Sequence, residues 1–198
     1  MSSLHLPLET DRLRLRPFER GDINAIVRYH SLPTVQRYLV RPSRDAAEVA
    51  MALDIMRSQV SLQRPGDTLT LAMTRKGDGL LMGHVCLHWS DATAGQAEIR
   101  HAIDPAHSGN GYLSEALSAL LDLAFGHFRI HRVFCRSDGR NHHSIKLMQN
   151  LGMRLEAHYR EHALFQGEWD EELHFAILDR EWQRSPGVQP LPARNRVA

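Results

Sequence analysis

The segment Asp104-Pro105-Ala106-His107-Ser108-Gly109-Asn110-Gly111-Tyr112-Leu113 constrains this chain more than any other stretch. A strand-like run, Glu98 to Ile103, stops at an Asp-Pro pair. Two glycines follow, and a strongly periodic segment begins at once. Leu113, Ala116, Leu117, Leu120, Leu121, Ala124 and Phe125 fall at steps 0, 3, 4, 7, 8, 11 and 12, which predicts a helix with one broad apolar face. Glycines at such a junction free the backbone to present N–H groups, and the helix start adds the positive end of its dipole. Together they predict an anion site suited to a pyrophosphate. The segment is not a Walker loop, because no Gly-Lys-Ser/Thr follows. Nor is it a dinucleotide fingerprint, because Ser114 stands where the third glycine belongs.

Around this junction the pattern alternates between strands and helices. Arg12 to Arg16 alternates charged and apolar residues before Pro17, which reads as a strand with Arg12, Arg14 and Arg16 on the wet face of a sheet edge. Asp22 is placed to cap a helix carrying Ile23, Ile26 and Val27, and Ser43 to cap a second carrying Val49, Leu53, Met56 and Val60. Leu69, Leu71 and Met73 alternate with threonines as a strand. The turn Lys76-Gly77-Asp78-Gly79 then returns the chain through Leu80 to Trp89. Arg132 to Ser137 reads as a strand, and Ser144 to Leu151 as a short helix closed by Gly152. Met153 to Phe165 and Leu173 to Leu178 read as strands joined across Gln166-Gly167-Glu168. From Ser185 onward little can be buried, which predicts a disordered tail over 185–198 after one domain over 8–182. The order implies an α/β chain with a mixed sheet flanked by helices.

Composition removes several classes. A net charge of +1 over 198 residues argues against a dedicated nucleic-acid binder. No basic-then-apolar leader opens the chain, and the apolar run Ala116 to Phe125 is too short to span a bilayer, so no membrane role and a cytoplasmic setting are expected. Cys86 and Cys135 sit in apolar strand-like runs and read as buried thiols rather than nucleophiles. The 13 histidines show no HExxH or paired Cys–His spacing, so no metal is expected.

Several motifs in order carry a resemblance. Ser108-Gly109-Asn110-Gly111-Tyr112-Leu113-Ser114-Glu115-Ala116 resembles the acyl-CoA motif Gln/Arg-x-x-Gly-x-Gly/Ala of the GCN5-related N-acetyltransferases, the GNAT superfamily. Thr10 to Pro17, Ala97-Glu98-Ile99, Asn141-His142-His143-Ser144 with Leu151-Gly152-Met153, and Gly167-Glu168-Trp169-Asp170 resemble segments of its RimJ/RimL-type branch. The resemblance covers about residues 8 to 182. It implies a central, mostly antiparallel mixed sheet of about seven strands flanked by four helices. Two positions depart from the motif: Ser108 stands where Arg or Gln is usual, and Leu113 where Gly or Ala is usual. Met148 occupies the position where family members often carry a tyrosine acid.

The resemblance implies direct transfer of acetyl from acetyl-CoA to a primary amine. Ser108, Gly109, Asn110, Gly111, Tyr112, Leu113 and Ser114 would hold the pyrophosphate, and Asn141 with the backbone of His101, Ala102 and Ile103 the pantetheine arm. Glu98 is the candidate general base, working through water, although the residues alone allow a surface ion pair with Arg100. Ser144 is the candidate donor to the departing sulfur, although it is also a natural helix N-cap. His101, His107, His142 and His143 read as exposed histidines with no catalytic role.

The acceptor stays open between a protein N-terminal α-amine and a cationic small amine. Glu168, Asp170, Glu171 and Glu172 crowd one hairpin and would attract an aminosugar antibiotic or polyamine if they border the cleft, the antibiotic case implying resistance; otherwise they form a solvated turn. A non-catalytic acyl-CoA-binding module is the reading from another class. The expected partners are acetyl-CoA and an amine acceptor, with room for a homodimer.

Overall fold

The computed structural model describes residues 4–38, 45–165 and 167–182. Among them one eight-stranded sheet runs in the order β1-β2-β3-β4-β5-β6-β8-β7. The strands are β1 Leu8–Glu9, β2 Leu13–Arg16, β3 Thr68–Arg75, β4 Leu81–Asp91, β5 Gln96–Ile103, β6 Arg132–Asp138, β7 Arg154–Phe165 and β8 Glu168–Leu178. Six helices accompany it: α1 Ile23–His30, α2 Pro33–Gln36, α3 Ala46–Ser58, α4 Tyr112–Asp122, α5 His142–Asn150 and α6 Asp179–Trp182. The mixed α/β architecture is the expected one. The added strand β1 and the added helices α2 and α6 are each four residues or fewer, too short to leave a periodic signature.

Helices cover both faces of the sheet. On one, Leu13, Leu71, Ile99, Val133 and Phe175 pack with Leu117 and Leu120 of α4 and Met148 of α5. On the other, Ala72 and Ala102 pack with Ile26 and Tyr29 of α1 and Val49 and Leu53 of α3. The apolar stripe of α4 is therefore core, as its period requires. Beyond Asp122 the helix widens into a π-turn over Leu123–His127.

Several local expectations change. β2 is not a sheet edge, because β1 pairs with it on the side away from β3. Its alternation holds: Leu13 and Leu15 are fully buried. Asp22 does not cap α1 with its side chain; its carboxylate accepts from the Glu19 N–H, closing the capping box of the 3-10 turn Arg20–Asp22, and takes 2.8 Å bonds from both terminal nitrogens of Arg16. Asp45 caps α3 by accepting from the Glu48 N–H, while the expected cap Ser43 lies outside the described residues, as do Gln166 and the expected tail. β8 begins at Glu168 rather than Leu173, since a hairpin arm projecting past the core needs no apolar alternation.

One connection positions the site. All neighbouring strands are antiparallel except β5 and β6, which pair in parallel at Gln96↔Arg132, Ala97↔Val133 and Glu98↔Phe134. The pairing stops there, although β5 continues to Ile103 and β6 to Asp138. A wedge opens between the carboxyl ends of two strands, the position where open α/β sheets accept ligands.

Beneath α1 lies a buried polar cluster. The Tyr29 hydroxyl and His84 Nδ1 are 2.8 Å apart, and the His30 and His84 rings stand 5.7 Å apart. Neither ring nitrogen of His30 has a partner among the described residues. Burial lowers the pKa of His84 to about 3, and that of His30 and His101 to about 4. The folded state thus leaves these sites unprotonated at pH 5, while the unfolded chain takes up protons below about 6.5. Stability from this difference is present above pH ~6.5 and is lost as pH falls toward 4. Urea unfolding is expected to show a loss on the order of 2 kcal/mol for each of these histidines between pH 7 and 5. His30→Leu should lose less; a stability that stays flat over this interval would contradict the buried neutral cluster.

Candidate active site

The glycine loop is shaped by its own hydrogen bonds. Asp104 accepts from the Ala106 N–H and caps the 3-10 turn Pro105–His107. The Asn110 side chain donates to the carbonyls of His107 and Ser108, both at 3.2 Å. Gly109 and Gly111 have φ of +78° and +79°, the left-handed region in which L side chains are strained. Gly111 is the N-cap of α4, whose first intrahelical bond runs from the Glu115 N–H to the Gly111 carbonyl. The N–H groups of Tyr112, Leu113 and Ser114 therefore lack intrahelical acceptors and sit at the positive end of the helix. Among the described residues this first turn fits an anion, and acetyl-CoA brings one as its pyrophosphate.

The cation missing at Ser108 has a counterpart elsewhere. Arg12 reaches from the start of β2 to the loop, where its Nη1 donates to the Asn110 carbonyl at 3.0 Å. Its Nε meets Glu115 at 2.7 Å, and its guanidinium lies 4.6 Å from the Tyr112 ring centre. Arg12 is thus a brace on the loop, not one of a row of solvated arginines. Nothing local marks it, because Arg12 and Glu115 are far apart in sequence. The alternating charges around Arg12 were the only signal.

Strand alternation sets the pantetheine surface. The Asp104 N–H donates to the Met82 carbonyl, so the backbone of Asp104, and by alternation that of Ala102, faces β4. The backbone groups of His101 and Ile103 then face the wedge, where no strand takes them. Of the three expected contact residues, Ala102 is directed away. His101 lies within β5 and its Nδ1 is buried without a partner, so it is not an exposed loop histidine.

Glu98 sits where the wedge closes, and its side chain is only 5% exposed. Arg136 Nε donates to Oε1 at 2.8 Å, and Arg100 Nε to Oε2 at 3.0 Å. Burial pushes the carboxyl pKa up, but the bonds from Arg136 and Arg100 outweigh it and hold the group below its ordinary value. The ion pair with Arg100 is real, yet the face is not solvated. Arg136 was missed because only the β5–β6 register brings it to Glu98.

On the opposite arm, Asn141 caps α5 by accepting from the Ser144 N–H at 3.1 Å. Ser144 is buried and is not itself the cap. Met148 is fully buried, so that position belongs to the core. Cys86 and Cys135 have their thiol pKa values pushed up by burial to about 11 and about 12, so neither is a ready nucleophile. Among the described residues no group of three or more His, Cys, Asp or Glu could hold a metal ion, and no helix is long and apolar enough to cross a membrane.

The fold that holds this loop and wedge is similar to that of known proteins. Residues 12–154 match the family model described as an acetyltransferase (GNAT) domain. The chain belongs to the GNAT family. An uncharacterized N-acetyltransferase, p20, of Bacillus licheniformis is 28% identical over 176 residues, spanning 88% of this chain and 97% of that protein. The solved Mycobacterium smegmatis RimJ, in complex with CoA-disulfide, superposes with a TM-score of 0.74 at 21% identity, covering 87% of this chain and 85% of that one. The spermidine N-acetyltransferase of Vibrio cholerae, in complex with CoA and spermine, has a TM-score of 0.74 at 20% identity, covering 88% and 100%. The chain is an N-acetyltransferase of a family that uses acetyl-CoA.

The loop assignment has a direct test. A Cβ on Gly111 would lie 3.3 Å from Arg12 Nη2, at a φ of +79°. Gly111→Val is expected to abolish measurable acetyl-CoA binding by calorimetry, at a stability cost of about 1–3 kcal/mol. Wild-type affinity in a folded variant would remove the loop from the site.

Proposed function

We propose that this enzyme transfers acetyl directly from acetyl-CoA to a primary α-amine, within one ternary complex. The observation that carries the reading is the wedge. It places the glycine cradle, the free backbone edge of His101 and Ile103, and Glu98 along one path. The first turn of α4 binds the pyrophosphate. The wedge backbone and Asn141, whose side-chain N–H2 makes no described bond, receive the pantetheine arm. The thioester then lies near the point where β5 and β6 rejoin, with Glu98 on the α1 and α3 face.

Three events complete transfer. The ammonium loses a proton, the amine nitrogen bonds to the thioester carbon, and the C–S bond breaks. Glu98 is ionised at neutral pH and accepts the ammonium's hydrogen bond through a water. Ser144 donates to the departing sulfur, which as a thiolate is already a fair leaving group.

The clamp on Glu98 bears on the acceptor. A carboxylate stabilised by two guanidiniums can order water but takes up a proton poorly, which suits an amine that needs little help. An α-amine with pKa near 8 is roughly 10% neutral at pH 7, a lysine below about 0.1%. The hairpin acids favour the same choice over a polyamine. Glu168 meets Arg140 at 2.7 Å, Asp170 meets His162 at 3.1 Å, Glu171 meets His158 at 3.1 Å, and Glu172 meets His174 at 2.6 Å. Each is already bonded within or beside the arm, so a polycation would have to displace a partner. An acceptor panel of short peptides, aminosugars and spermidine, read by CoA release, tests this; preference for spermidine would overturn the α-amine reading.

Two substitutions test the mechanism. Glu98→Gln is expected to keep acetyl-CoA affinity and lower kcat about 10²-fold at pH 7, with a smaller defect at higher pH, where solvent supplies the neutral amine. An equal rate in both proteins at pH 7 would reduce Glu98 to a structural ion pair. Cys86→Ala and Cys135→Ala should keep turnover apart from cavity costs. Mass spectrometry that traps an acetyl-cysteine would replace direct transfer with a covalent route.

A further inference from the structure

Glu98 is poorly placed to be the last stop for the acceptor's proton. Its carboxylate is almost closed off, and both of its oxygens already accept from guanidiniums. On the same sheet face, a second acid–base group stands more open. β6 and β8 pair at Arg136↔His174 and Asp138↔Glu172, so His174 lies beside the arginine that holds Glu98. His174 Nε2 and Glu172 Oε1 are 2.6 Å apart. Their side chains are 28% and 25% exposed, against 5% for Glu98.

The chemistry of the pair sets the tautomer. An ionised carboxylate only accepts, so Nε2 carries the hydrogen and Nδ1 is left bare. No described hydrogen bond reaches Nδ1. The Tyr159 ring stands edge-on to the imidazole, with centroids 4.9 Å apart, and fixes it from the β7 side. The charged and titratable groups around His174 are thus Glu172 on its own strand, Arg136 on β6 with Glu98 behind it, and Tyr159 on β7.

We propose that His174, held by Glu172, is the general base of the reaction, and that Glu98 with Arg136 orders the water between them. This rests on the acetyl-transfer reading above. The ammonium's first proton passes to His174 Nδ1, and the freed nitrogen lone pair forms the N–C bond. As the C–S bond breaks, its electron pair stays on sulfur. The nitrogen's second proton goes to that thiolate, and the imidazolium returns its proton to solvent. Amine and thioester become amide and thiol with one proton released. Glu172 is a positioning residue, acting through the imidazole.

The dyad can be tested apart from the transfer reading. Acetyl-CoA affinity and wild-type CoA release with a peptide acceptor judge that reading alone. The ratio of variant to wild type judges the dyad. His174→Gln is expected to keep acetyl-CoA affinity and lower kcat about 10²-fold at pH 7, with the defect shrinking as pH rises. Glu172→Gln should give a smaller loss and move the acidic limb of the kcat/KM profile, a shift that a merely structural role would not produce. His158→Gln, in the neighbouring pair with Glu171, should leave rate and profile unchanged. Imidazole nitrogen NMR of the unaltered protein adds a readout independent of activity: His174 should carry its hydrogen on Nε2. A hydrogen on Nδ1, or an unaltered pH–rate profile in folded His174→Gln, would overturn the proposal.

Discussion

The structure depends on a parallel pairing that is given up after three residue pairs. An antiparallel sheet can keep its ladder intact from end to end, because each hairpin continues the next. β5 and β6 are joined instead through the glycine loop and α4, which pack across the sheet before the chain returns. Pairing holds from Gln96 to Glu98 and then ends, leaving unpaired backbone groups along both carboxyl-terminal arms. In a closed core such groups would be costly. Here they line an opening, and a peptide-like substrate arm can satisfy them as a missing strand would.

The electrostatic arrangement follows from that opening. The α4 start and the loop present positive ends of backbone dipoles toward the wedge. Glu115, in the first turn of α4, would oppose a bound phosphate if left alone. Thr10 and the backbone and side chain of Arg12 all donate to it, and these bonds hold its carboxyl below the ordinary value despite burial. The charge is spent on tying β2 to the loop. Arg12 therefore shapes the cradle and removes a repulsion at once, and Ser108 can stand at the usual cationic position without emptying the site of positive charge.

What could be seen in the sequence was what local chemistry specifies. The 3.6-residue period of α4, the two glycines and the alternating strands each follow from neighbours a few residues apart. The site's side-chain partners do not. Arg136 reaches Glu98 only through the β5–β6 register, and His174 stands beside Arg136 only through β6–β8. Arg12 and Glu115 meet for the same reason. The cap at Asp22 is displaced by one turn: its carboxylate serves the 3-10 turn that begins after Glu19 and binds Arg16, and leaves the start of α1 alone. The short elements β1, α2 and α6 carry too few residues for any period to show.

The partnering of the hairpin acids decides how that arm of the sheet is held. Asp170, Glu171 and Glu172 are each matched with a histidine, not with lysine or arginine. A histidine partner cancels a carboxylate only while it is protonated. In either state the bond fixes where the carboxylate points, across the hairpin for Asp170 and Glu171 and along β8 for Glu172. Glu168 stands apart, tied to Arg140, which itself holds Asp138 at the end of β6. That pair ties the start of β8 to the end of β6. The hairpin acids thus order the arm itself, and strand alternation puts Glu172 with His174 on the Glu98 face and Glu171 with His158 on the other.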